Sequence, residues 1–138
     1  MDRLILLILV TIVLFTVGGI IDYWQAAMEH KKKLHKHLED FFLIIWLFVY
    51  SGLLPFLLVF IASNYDIQTT GIYFGAVCIG SVSWDVIYSF LDTGKPISDQ
   101  RGYFVMKQKN YGLSSRQIAL WHIIRLIIGS GLIFIFFT

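Results

Sequence analysis

Four long apolar runs leave this chain few ways to fold: Leu4 to Ile21, Phe41 to Ala62, Gly71 to Leu91 and Ile118 to Phe137. Each is about 18 to 22 residues long, the length with which an α-helix rising about 1.5 Å per residue crosses about 30 Å of hydrocarbon. A bilayer core holds no water for unpaired backbone groups, so only helices or closed barrels span it. Runs such as Phe41 to Ile45 lack the period-2 alternation of barrel strands. The expected fold is therefore all-α, an integral membrane four-helix bundle with antiparallel neighbours. The spans are set at 4–21, 41–62, 71–91 and 118–137, with loops at 22–40 and 92–117. Composition agrees: 57% of the 138 residues are hydrophobic and 14% charged, proportions unsuited to a water-soluble domain of this size.

The first run could also be a secretory signal, since Arg3 precedes it. It exceeds the usual h-region, however, and Gly18-Gly19-Ile20-Ile21-Asp22 offers no small-x-small cleavage site, so it is read as a retained span. The single cysteine, Cys78, lies inside the third run and rules out an intramolecular disulfide.

Charge sets the expected orientation. Lys31, Lys32, Lys33 and Lys36 fall in loop 22–40, and Lys95, Arg101, Lys107, Lys109 and Arg116 in loop 92–117. The opposite side holds Arg3 alone. By the positive-inside rule the two basic loops face the cytoplasm, giving an N-out/C-out topology. The net charge of +2 then reports topology, and with no basic-aromatic surface module no nucleic-acid partner is expected.

Between Ile20 and Tyr50 there is neither Gly nor Pro, so the first two helices are expected to continue past the headgroups and turn between Glu29 and Lys36. Tyr23 and Trp24 stand where an aromatic belt belongs. Asp92-Thr93-Gly94-Lys95-Pro96 is expected to stop the third helix sharply. Tyr103 to Met106, followed by Lys107, Lys109 and Tyr111, reads as a segment lying at the headgroups, and Ser114-x-x-Gln117 as a capping box opening the fourth helix.

Ionisable residues within a span cost on the order of 2.5–3.5 kcal/mol each and call for partners. There are three: Asp85, His122 and Arg125. Counting about 1.5 Å per residue, Asp85 lies about 10 Å from Asp92, while His122 and Arg125 lie about 8 and 12 Å above Gln117, so their depths match. Ser81, Asp85, Tyr88 and Asp92 share a stripe of the third helix; His122, Arg125 and Gly129 share a face of the fourth. An Asp85–Arg125 ion pair with His122 as second partner follows. Pro55 frees the carbonyl of Ser51, a further acceptor at that depth. The expected polar cluster is Asp85, His122, Arg125, Ser51 and Tyr88. It either pins helix register, binds a proton or solute, or acts on a lipid headgroup with His122 as general base and Arg125 as anion clamp; no nucleophile motif accompanies it.

His30, His35 and His37 superficially resemble the first histidine box of membrane desaturases, but the chain has four histidines in all and the surrounding lysines oppose a cation, so neither metal nor cofactor is expected. Holins are small and basic too, yet they commonly end in a charged cytoplasmic tail, whereas this chain ends in Ile133-Phe134-Ile135-Phe136-Phe137-Thr138.

Trp84-Asp85-Val86-Ile87-Tyr88-Ser89 followed by Gly94-Lys95-Pro96 resembles a pattern of small, uncharacterised four-helix membrane proteins of Bacteroidota and their phages. The likeness covers about twenty residues and departs at Ser89, where the pattern often has a polar amide. It supports the four-helix fold and the interest of Asp85 only and implies no activity. The expected location is a bacterial cytoplasmic (inner) membrane. Gly18-Gly19, Gly71-x-x-x-Gly75, Gly80 and Gly129-Ser130-Gly131 are of the type that lets membrane helices approach closely, within the bundle or between subunits. The functional expectation is a structural or accessory subunit in contact with membrane lipids and with copies of itself or other membrane subunits. The alternative is a small transporter or channel component using the polar cluster.

Overall fold

The structure is a computed structural model that describes residues 2–32, 53–62, 66–97, 100–101 and 112–138. Four helices occupy these residues: α1 (Arg3–Lys32), α2 (Leu54–Ala62), α3 (Ile67–Thr93) and α4 (Ser115–Phe137). A two-residue antiparallel ladder pairs β1 (Gln100–Arg101) with β2 (Gly112–Leu113) between α3 and α4. The described residues are thus all-α apart from this ladder. Within α1, Arg3–Trp24 is long and apolar enough to cross a membrane, as are α3 and α4. The expected second span, 41–62, is described only from Leu53 onward, where it leads into α2.

The helices overrun the spans set from hydropathy because their ends are fixed by capping chemistry. With no Gly or Pro to stop it, α1 runs eleven residues beyond Ile21 to Lys32, which brings Asp22 into a helix rather than a loop. The Asp66 carboxylate accepts the amide of Gln68 at the start of α3. Gly94, at φ 73°, ends α3 in the left-handed conformation and donates its amide to Phe90, the αL cap that glycine adopts without a Cβ penalty. The Ser89 hydroxyl then bonds the Lys95 carbonyl at 2.9 Å, folding the turn back onto the helix. At α4, Ser114 and Gln117 form the reciprocal capping box.

α3 is the central helix. Phe15 lies against Gly80, Gly18 against Trp84 and Tyr23 against Tyr88, so α1 and α3 run parallel. Gly71 faces Phe136, Gly75 faces Gly129, and Asp85 faces Arg125, so α3 and α4 run antiparallel. All four helices meet at one end, where Leu4, Leu7, Ile72 and Tyr73 form a buried cluster flanked by Phe56 and Phe136. Phe56 stacks on Tyr73 with ring centroids 4.4 Å apart and thereby fastens α2 to α3. Both described termini lie at that end. Elsewhere large apolar side chains face outward, Phe134 being 72% and Ile127 67% exposed. Such a surface suits hydrocarbon and would be an aggregation hazard in water.

Candidate functional site

Away from the termini, α3 and α4 hold a compact polar cluster. The Arg125 guanidinium is its centre. Nη2 lies 2.5 Å from Asp85 Oδ2 and 2.7 Å from His122 Nδ1, and Nη1 donates to the Ser81 hydroxyl at 3.0 Å. The Ser81 hydroxyl itself donates to the Cys78 carbonyl at 2.8 Å. Helical side chains lean toward the N-terminus of their helix; for Arg125 that direction leads to His122, one turn earlier in α4. Arginine has no acceptor atoms, so the bond to Nδ1 requires that this nitrogen carry a lone pair and that a neutral His122 hold its proton on Nε2. His122 is buried, while Asp85 and Arg125 are largely so.

The cluster is electrostatically closed. One carboxylate meets one guanidinium, and the remaining Arg125 donors go mainly to neutral acceptors, which is the arrangement that makes a buried ion pair tolerable. Arg125 Nε is buried and has no acceptor among the described residues. Of the five residues expected to gather, Asp85, His122 and Arg125 do so. Tyr88 instead sets its ring edge-on to Tyr23 of α1, centroids 6.1 Å apart. Ser51, expected to offer Arg125 its carbonyl, lies outside the described residues, as do His35 and His37. Among the described residues no group of three or more His, Cys, Asp or Glu could hold a metal ion.

A second polar contact was not foreseen. Trp84 Nε1 donates to Asp22 Oδ2 at 3.1 Å, joining α3 to α1. Trp84 and Asp85 are adjacent, and successive helical residues point about 100° apart, so one serves α1 and the other α4. The signal for Asp22 was available in the Gly- and Pro-free run that carries α1 past it. Ser81, the other addition, already stood on the Asp85 stripe.

The fold and cluster define a class: a helical chain with three helices long and apolar enough to cross a membrane and an ion pair set between two of them. Compared with known proteins, the chain matches no family model, and no curated protein or solved structure is similar to it.

Proposed function

We propose that the protein is a four-span, N-out/C-out bundle of a bacterial cytoplasmic membrane, acting as a structural or accessory subunit of a membrane assembly. The reading of four spans is supported by the parallel course of α1 and α3, which requires the chain between Lys32 and Asp66 to return across the same thickness. The orientation rests on the basic residues of loops 22–40 and 92–117. The resemblance around Trp84 to Pro96 fits a bacterial setting.

The observation that carries the accessory reading is the ion pair of Asp85 with Arg125. A carboxylate that receives protons or cations in transport must exchange partners, whereas this one faces a cation that cannot deprotonate and that is itself tied to Ser81 and His122. Such a cluster suits the fixing of helix register. The transporter reading draws on Arg125 Nε, a donor still free to meet a solute oxygen.

Native mass spectrometry of the protein extracted in lipid discs tests the choice. Co-purifying membrane subunits or a defined homo-oligomer are expected, and a pure monomer with nothing bound overturns the accessory reading. Asp85→Asn separates the rival: an accessory subunit loses stability or assembly, while a transporter keeps its fold and loses flux.

A further inference from the structure

The described tryptophans divide into two kinds. Trp84 is turned inward and donates its indole N–H to Asp22. Trp24 on α1 and Trp121 on α4 are turned outward, 65% and 56% exposed. These two stand at the same level of the bundle although they lie on different helices. The contact of Tyr23 with Tyr88 sets Trp24 beside Ser89. The contacts of Gly75 with Gly129 and of Asp85 with Arg125 set Trp121 opposite residues 83 to 89 of α3, within roughly 9 Å of the same position.

Charge is distributed about this level in a definite order. Beyond it, toward the end remote from the termini, come Asp92, the exposed Lys95 and the exposed Arg116, with Lys31 and Lys32 in the last turn of α1. On its other side lie Asp85 and Arg125, which neutralise each other, and Asp22, two residues before Trp24 and bonded to the Trp84 indole. The opposite limit is marked by the capping carboxylates Asp2 and Asp66, bonded to the amides of Leu4 and Gln68. From Asp66 to Ser89 α3 rises about 34 Å, a helix of 23 steps at about 1.5 Å, against a hydrocarbon core of about 30 Å. A slab of bilayer therefore fits between the aspartate caps and the tryptophan level with little to spare.

We infer that Trp24 and Trp121 rest at the headgroup boundary of a phospholipid leaflet, so that the Asp85–Arg125 pair lies about one helical turn inside the hydrocarbon. An indole places its ring against acyl chains and its N–H toward ester and phosphate oxygens. Lys95 and Arg116 beyond that plane face the phosphates, the complementary charge. The inference deepens the membrane reading above and rests on it. It also gives a reason for the short reach of the cluster: Arg125 leans toward this boundary, the nearer edge of the slab, as long basic side chains in membranes do.

Depth-resolved fluorescence quenching tests it, with the full chain reconstituted in phosphatidylcholine–phosphatidylglycerol vesicles. Bromine is carried either on acyl carbons near the glycerol or near the chain ends. Comparing the parent with Trp24→Phe and Trp121→Phe isolates each indole, and both positions are outward, so the fold survives the change. Shallow bromine is expected to quench each indole at least about twofold more than deep bromine, as headgroup-level tryptophans require. Deep quenching equal to or above shallow overturns the boundary. If neither indole is quenched although the protein stays in the vesicles, another protein surface covers them; the inference fails and the membrane reading stands. Recovery of the chain outside the vesicles overturns both.

Discussion

The two faces of α3 solve the same problem differently. Toward α1, two glycines receive aromatic rings, Gly18 under Trp84 and Gly80 against Phe15, while Gly19 faces the Trp84 carbonyl. The polar contact at that seam is a neutral indole, Trp84, donating to Asp22. Toward α4, glycine meets glycine, so that a Cβ on either Gly75 or Gly129 would fall 2.7 Å from the other's carbonyl oxygen, and the polar contact is a full ion pair. A ring can rotate out of a notch, but a backbone cannot withdraw without moving its helix. The Gly75–Gly129 contact should therefore be less forgiving than the ring contacts of Gly18 and Gly80, and the ion pair less forgiving than the neutral bond.

Removing Arg125 is the most severe way to test this. Arg125→Leu leaves the Asp85 carboxylate uncompensated between helices, and the expected cost is about 3–5 kcal/mol. The double variant Asp85→Leu/Arg125→Leu should recover most of that loss, because an apolar pair carries no unpaired charge. Steric-trap unfolding in lipid discs measures both. A double variant as unstable as the single one would show that the cluster contributes more than mutual neutralisation, and the transporter reading would gain from that result.

Glycine substitutions compare the packing directly. Gly129→Ala places its Cβ against the Gly75 carbonyl and the Cβ of Cys78, and Gly75→Ala places its own against the amide of Ile133. Each should cost about 1–3 kcal/mol, the range for overpacking a close contact. Gly18→Ala meets only ring atoms of Trp84, which can turn at the expense of the bond to Asp22, and should cost less than Gly129→Ala in the same unfolding assay. Gly131, whose Cβ would meet nothing within 4 Å, is the control, and its alanine variant should change stability little. Equal losses at Gly18 and Gly129 would remove the distinction between ring-on-glycine and glycine-on-glycine contacts.

Much of this was legible in the sequence, for reasons that can be named. Formal charges inside apolar runs are few and costly, so the shared depth of Asp85, His122 and Arg125 followed from residue counting alone. Gly94 and the Ser114–Gln117 box announced their caps through local chemistry. A shared stripe does not by itself fix a contact: Tyr88 lies three residues from Asp85, about 60° away around the helix, and its ring meets Tyr23. Trp84 and Asp22 were missed although α1 was expected to run past Asp22, because which side chains meet across two helices is set by their crossing and not by either helix alone. Which glycine meets which partner depends on helix crossing, and a single sequence does not encode that locally.

The smallest predicted effect concerns this unforeseen contact. Trp84→Phe keeps most of the ring over Gly18 and deletes the donor to Asp22. Hydrogen bonds between membrane helices average about 0.6 kcal/mol and reach about 1.7, because the unfolded chain finds other partners too. A loss within that range is expected, well below that of Arg125→Leu. Asp22→Asn retains an acceptor oxygen and should stay within about 0.5 kcal/mol of the parent. The pair of variants separates two sources of stability at this seam: a Trp84→Phe loss without an Asp22→Asn loss assigns the effect to the hydrogen bond. Comparable large losses in both would mean that the Asp22 charge itself is needed, and the α1–α3 seam would then depend on electrostatics as the α3–α4 seam does.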